Sequence, residues 1–248
     1  MKTNGNTILI TGGGSGIGFE IAKVFSENNH VILTGRTDKK LLEAASQLQN
    51  VTTVTMNVTD EKDIEQLAEY LASTFPKLNV LINNAGMAYA YDMTVPGIDA
   101  HQKAFEEINT NYLAVIRLTE KLLPLLGNQQ EAAIVNVSSV GAFVPGKILS
   151  TYSASKAALH SYTQTLRLSL ANSGISVFEL MPPLVNTEFS KEIGGEHGIH
   201  PQVVAQELMN AFIDDNFEIH VGQTADLYKL HLSSPSDALE VMNNFLNS

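Results

Sequence analysis

Asn111, Ser139, Tyr152 and Lys156 are four polar residues whose types and order could move a proton to or from an oxygen. Tyr152 and Lys156 are four residues apart, so on a helix their side chains share a face. A tyrosine hydroxyl has a reference pKa of about 10, too high for a base at neutral pH. A neighbouring ammonium favours the phenolate and lowers that value, and Lys156 could supply it while also donating to a ribose. A serine hydroxyl at 139 would hold the substrate oxygen in one geometry for transfer. Ser138 competes for that role, and both hydroxyls could simply terminate a strand. Asn111 would organise a proton path to solvent. The Tyr–Lys pair alone carries little weight. Seven Tyr and about a dozen Lys would produce such a pair by chance in roughly one chain in three.

A second constellation lies near the N-terminus. The turn Thr11-Gly12-Gly13-Gly14-Ser15-Gly16-Ile17-Gly18 directly follows the apolar run Thr7-Ile8-Leu9-Ile10. Glycines at 12, 16 and 18 suit a tight turn, a close approach of backbone N–H groups to a pyrophosphate, and close packing of helix on strand. The helix N-terminus would add partial positive charge. The context of buried strand, glycine turn and amphipathic helix points to a dinucleotide. Its identity depends on the end of the second strand, where an acid serves NAD and an arginine serves a 2′-phosphate. Gly35 stands at the acid position and Arg36 follows it. Asp38, beside Lys39 and Lys40, reads as a cap for the next helix. NADP(H) is therefore expected, with NAD(H) the alternative.

Short β-branched runs at 7–11, 31–35, 52–57, 79–82, 132–138, 175–181 and 217–221 read as strands buried on both faces. Between them lie helical patterns. Ile17, Ile21, Val24 and Phe25 form one stripe, and the acids Asp60, Glu61 and Asp63 open a helix over about 60–75. Longer helices are predicted over about 101–125, ending near Pro124 and Gly127, and over about 152–172. His200-Pro201 starts another through Asp214. Repeated β-α-β units predict an α/β fold, a doubly wound parallel sheet of about seven strands flanked by helices. No linker or repeat divides residues 1–248, so one domain is expected. Residues 188–200, with three glycines, lie where a substrate lid would close, or form a plain surface loop.

Composition excludes several classes. The formal charge of -11 disfavours nucleic acid or an anionic membrane as partner. Without cysteine there is no disulfide, thiolate metal site or Cys nucleophile. No signal-like N-terminal stretch and no apolar run near the roughly 20 residues of a bilayer span are present, so a cytoplasmic location is expected.

With these motifs in hand, the chain resembles the short-chain dehydrogenase/reductase family in its compact, Rossmann-like form. Thr11-Gly12-x-x-x-Gly16-Ile17-Gly18 resembles the family's cofactor motif, and Asn83-Asn84-Ala85-Gly86 its sheet-stabilising motif. Asn111, Ser139 and Tyr152-Ser153-Ala154-Ser155-Lys156 resemble its catalytic tetrad. The resemblance implies hydride transfer between a nucleotide and a small-molecule carbonyl or alcohol. Tyr152 would be the acid/base, Lys156 would lower its pKa, Ser139 would polarise the carbonyl and Asn111 would anchor the proton relay. It also implies cofactor contacts from Gly12, Ser15, Gly16, Ile17, Gly18, Asn84, Ala85, Gly86, Tyr152 and Lys156. Asn57 and Val58 replace the usual Asp-Val at the adenine. Pro182-Pro183 replaces Pro-Gly, with Val185 and Thr187 following at the carboxamide; Pro183 removes a donor and stiffens the backbone. The chain's ending is similar to that of oxidoreductases encoded beside bacterial D-alanyl-lipoteichoic acid genes. A homo-oligomer, dimer or tetramer, is implied, with the helices containing Asn111 and Tyr152 at the interface.

Met87, Ala88, Tyr89, Val140 to Lys147 with Phe143, Leu184 and Phe189 are candidate pocket residues, each equally readable as packing. Lys147 reads as an exposed lysine. His197 and His200 form the only close His pair, and no acid or Cys completes a metal site. His160, one turn past Lys156, reads as a helix-surface residue at a subunit contact. Two other functions share this fold: a non-catalytic nucleotide-sensing or scaffold protein, and an epimerase or lyase using the same cofactor.

Overall fold

Seven runs of β-branched and aliphatic residues pair into a parallel sheet, and the computed structural model describes residues 1–245 of the chain. The strands are β1 (Thr7–Thr11), β2 (His30–Gly35), β3 (Val51–Thr55), β4 (Leu78–Asn83), β5 (Ala132–Val137), β6 (Ile175–Met181) and β7 (Glu218–His220), in spatial order β3-β2-β1-β4-β5-β6-β7. The helices are α1 (Gly16–Phe25), α2 (Asp38–Ala45), α3 (Glu61–Thr74), α4 (Ala100–Ile108), α5 (Ala114–Gly127), α6 (Ser150–Ser169), α7 (Pro201–Asp214), α8 (Gln223–Ser233) and α9 (Pro235–Phe245). The strand order reverses between β1 and β4, so their carboxyl ends open a crevice where doubly wound sheets bind ligands.

Alternation along each strand divides the core into two layers. Ile8, Ile10, Val31, Leu33, Val80 and Ile82 point to the face covered by α1 and α7. Leu9, Ile32, Leu81, Ile134 and Val177 point to the other face, against Leu118, Leu122 and Leu126 of α5. Each such buried side chain contributes about 1.5–3 kcal/mol of transfer free energy. On the first face Phe178 sits 4.8 Å from Phe212, which is 5.5 Å from Phe25, joining β6, α7 and α1.

Four local details differ from the sequence reading. The helix expected over 101–125 is interrupted by a π turn, Asn109–Leu113, and Pro124 lies inside α5 instead of ending it. Asp38 does not cap α2: Thr37 holds the N-cap position, and the Asp38 carboxylate accepts from the Thr55 hydroxyl at 3.1 Å. The tail forms two helices, α8 and α9, for which Pro235 at a helix start was the available signal. His160 is not a free surface residue, because its ring turns inward to Glu179 on β6. Of the acids expected at the start of the helix over 60–75, Asp60 is its N-cap and accepts from the N–H groups of Lys62 and Asp63.

Candidate active site

The crevice opens into a cavity of about 970 Å³ that runs from the glycine turn past the carboxyl ends of the strands to α8 and α9. Its first wall is backbone. Gly12 has φ +65°, and a Cβ there would lie 3.0 Å from Ala85 Cα. A Cβ on Gly18 would lie 2.5 Å from both the Gly12 carbonyl oxygen and Asn84 Nδ2. Asn84 Nδ2 donates to the Thr11 and Gly12 carbonyls at 2.9 and 3.1 Å, while the Thr11 hydroxyl accepts from the N–H groups of Asn84 and Ala85, each at 3.0 Å. Asn84 and Thr11 thus tie the two sides of the crevice together. Gly12, Gly14 and Gly16 line the cavity without side chains, leaving a backbone cradle at the N-terminus of α1.

At the outer end of this cradle Arg36, Asn57, Val58 and also Thr37, Lys40 and Thr59 line the cavity. Arg36 makes no ion pair among the described residues, and Asp38 points away to Thr55. Sequence reasoning had Lys40 in view only as a neighbour of Asp38. Its place on the cavity wall depends on how α2 returns to the sheet.

At the inner end, Tyr152, Lys156, Ser138 and Ser139 line the same cavity. Ser139 follows β5, accepts from Gly141 N–H at 3.0 Å and faces the same cavity as the Tyr152 phenol. Ser138 instead turns its hydroxyl to the Glu179 carboxylate. Tyr152 and Lys156 share the face of α6, with Lys156 Nζ 5.7 Å from the Tyr152 ring centroid. Lys156 Nζ donates to the Val137 carbonyl at 2.8 Å. Burial pushes the Tyr152 phenol up to about 12, against the Ser139 hydroxyl, which lowers it. Burial likewise brings the Lys156 ammonium down to about 8.

Asn111 lies in the π turn and is fully buried. Its Oδ1 accepts from Met87 N–H at 2.9 Å; its Nδ2 donates to Met87 O at 2.8 Å and to Ser155 Oγ at 2.9 Å. The side chain thus joins the loop after β4 to α6, one residue from Lys156.

Pro182, Pro183, Leu184, Val185 and Thr187 follow β6 along the cavity. Residues 188–200 form two short turns of 3-10 helix tied back by Ile199 N–H to Leu184 O at 3.0 Å. Phe189 from this segment places its ring 6.1 Å from that of Tyr152. Met87, Ala88, Val140 and Leu184 line the cavity as expected. Phe143 does not: its ring packs 5.0 Å from Tyr228 of α8. Tyr89 bonds Glu106, and Lys147 is exposed. His200 Nδ1 accepts from Gln202 N–H and caps α7. Leu227 and Leu230 of α8 and Val241 and Met242 of α9 close the far wall; Ala238, Val241 and Met242 fall at helical spacing, but nothing local in the sequence places that helix over the cavity.

Comparisons with known proteins agree with this geometry. The model of the family described as short chain dehydrogenase matches residues 6–197. The chain is 39% identical over 216 residues to the uncharacterized oxidoreductase DltE of Bacillus subtilis (strain 168), covering 86% of this chain and 85% of that relative. A short chain dehydrogenase/reductase from Burkholderia phymatum in complex with NAD superposes with a TM-score of 0.87 at 22% identity, over 98% of this chain and 97% of that one. A short chain dehydrogenase from Burkholderia cenocepacia J2315 in complex with NADP gives 0.86 at 22% identity, over 98% and 99%. At that identity the two solved structures speak for the fold alone. The family match and the relative carry the conclusion that this chain belongs to the short chain dehydrogenase family of oxidoreductases.

Proposed function

We propose that the protein is an NADP(H)-dependent oxidoreductase that interconverts a carbonyl compound and its alcohol, with the whole chain acting as one catalytic unit. One observation carries the reading: Tyr152, Ser139 and Lys156 converge on the wall of a cavity whose other end is a glycine cradle. A bound nicotinamide nucleotide supplies or accepts the hydride. Gly12, Ser15, Gly16, Ile17 and Gly18 would hold its pyrophosphate, where the α1 N-terminus favours negative charge. Asn57 and Val58 would meet the adenine; Asn84, Ala85 and Gly86 would line the middle of the site. Pro182, Val185 and Thr187 would border the nicotinamide. Arg36 with Lys40 offers two cations for a 2′-phosphate; of the two similar solved structures one is in complex with NAD and the other with NADP.

A phenol held near 12 is protonated at neutral pH, so Tyr152 stands ready as a proton donor to a carbonyl oxygen. Ser139 donates to the same oxygen and fixes its position. Lys156 stabilises the phenolate that remains. Asn111 holds Met87 and Ser155 so that α6 and the loop after β4 keep their spacing. Leu149, Leu184, Phe189, Leu227, Leu230 and Met242 surround the remaining space and favour a substrate with an apolar body. Residues 188–200 act as its lid. The family reading also implies a homo-oligomer through α4, α5 and α6, where Leu113 and Leu168 are exposed. Among the described residues no helix is long and apolar enough to cross a membrane, and the cytoplasm is the proposed compartment.

The test is NADPH oxidation screened against ketones, aldehydes and quinones, with Tyr152→Phe as the control. A carbonyl substrate whose turnover is lost in that variant supports the reading. Undiminished turnover in it sinks the assignment of the proton donor.

A further inference from the structure

The face of α6 that carries Tyr152 and Lys156 continues one turn on to His160, at spacings of four residues. Facing His160 is Glu179 of β6, a carboxylate with no solvent exposure. His160 Nδ1 lies 3.0 Å from Glu179 Oε1 and 2.9 Å from Oε2, and the Ser138 hydroxyl donates to Oε1. Ser138 in turn follows Val137, whose carbonyl accepts from Lys156 Nζ at 2.8 Å. A buried carboxylate is costly unless paired and hydrogen-bonded, and here it stands in a strand whose neighbours Phe178 and Leu180 are apolar. The reaction proposed above uses none of Ser138, Glu179 and His160.

We propose that Glu179 is a positioning residue for Lys156: its buried carboxylate supplies the counter-charge of the ammonium, and His160 sets how much of that charge the lysine feels. Burial acts to neutralise Lys156, and the Glu179 charge is what opposes it. His160 is held above its ordinary value, first by its hydrogen bond to Glu179. The other charges facing the pair are Arg167 on α6 and Glu218 on β7, which bond each other at 2.9 Å. His220 on β7 also faces it and is held low by burial. Protonated His160 makes the pair net neutral, and Lys156 then feels little of it. As pH rises and His160 gives up its proton, the bare carboxylate favours the ammonium more strongly. The pair thus extends the pH range over which Lys156 stays charged. His160, with its side chain 20% exposed, exchanges that proton with solvent.

The kinetic part of the test rests on the catalytic reading of Lys156; the titration part does not. In full-length, nucleotide-free protein labelled with ¹³C-lysine, the Lys156 Cε signal is identified by its loss in Lys156→Arg. Glu179→Gln should lower the Lys156 midpoint by about one pH unit, and an unmoved midpoint overturns the proposal. His160→Asn keeps a side-chain donor beside the carboxylate but takes up no proton. The Lys156 curve should show a second, smaller inflection in the wild type that His160→Asn abolishes; identical curves overturn the role of His160. Should Glu179→Gln fail to fold, this second comparison decides. In turnover, Glu179→Gln should move the alkaline limb of kcat to lower pH with KM little changed. A uniform loss of kcat at every pH marks a merely structural role and overturns the proposal. If the Lys156 midpoint shifts as stated while Tyr152→Phe retains turnover, this inference stands and the catalytic reading fails.

Discussion

The two ends of the cavity are walled by different material. At the glycine-turn end the inner wall is backbone from Gly12, Gly14 and Gly16, and a Cβ on Gly18 behind it would lie 2.5 Å from the Gly12 carbonyl oxygen. At the substrate end the wall is side chains carried from distant parts of the chain, with Leu184 and Phe189 after β6, Leu227 from α8 and Met242 from α9. A backbone wall admits one residue type per position. A side-chain wall admits any apolar residue of similar volume, with modest cost. The first end therefore keeps one ligand class, and the second can be retuned. Tyr152 stands where the two meet, so its loss should have the largest effect. Tyr152→Phe should lower kcat by roughly 10²–10⁴-fold, the usual worth of a positioned general acid, in steady-state NADPH oxidation.

The next largest effect separates the two walls directly. Gly18→Ala forces a methyl into the Gly12 carbonyl and the Asn84 amide, an overpacking that should destabilise by about 1–3 kcal/mol and abolish nucleotide binding. Gly14→Ala is the internal control, since its Cβ would meet nothing nearer than 3.5 Å. Urea unfolding and NADPH fluorescence titration measure both. Equal effects of the two would show that the wall is not set by the backbone. At the other end, Phe189→Ala should change the ranking of carbonyl substrates by about 10–200-fold in kcat/KM without changing NADPH affinity. A parallel loss of nucleotide binding would merge the two ends into one site.

Arg36→Ala should weaken NADPH by roughly 10–100-fold, the worth of a charge-assisted hydrogen bond to phosphate, and leave NADH nearly unchanged. Isothermal titration with both nucleotides checks it. Equal losses would remove the 2′-phosphate from the proposal and leave Arg36 as a solvated charge.

The same contrast explains what could be read before the structure. Glycine positions, strand runs and the Tyr152–Lys156 spacing are local, so one segment of sequence displays the whole constraint. The doubly wound parallel sheet followed from repeated β-α-β units. What escaped was long-range. His160 and Glu179 are 19 residues apart on different elements, and nothing in the helix pattern around His160 announces a carboxylate across from it. Lys40 reaches the cavity only through the path of α2. Leu227 and Met242 depend on how α8 and α9 fold back beside β7 and the turn after β5, and Phe143, readable as pocket or packing, packs on Tyr228. The π turn at Asn109–Leu113 changes which side of the helix Asn111 occupies, a shift that 3.6-residue periodicity does not anticipate.

The smallest effect concerns stability. His160 is bonded to Glu179, and its folded value is raised above its ordinary one. A group raised on folding binds its proton more tightly in the native state, so its contribution is fully present below the unfolded value of about 6.5. That contribution fades as pH rises through the raised folded value. His160→Asn should therefore destabilise by about 1–2 kcal/mol at pH 6, within the range of a hydrogen bond to a charged partner, and by less at pH 9. Urea midpoints of wild type and variant at the two pH values measure the difference. A gap of the same size at both would make His160 a packing residue, and a gap that widens toward pH 9 would contradict the raised value of His160.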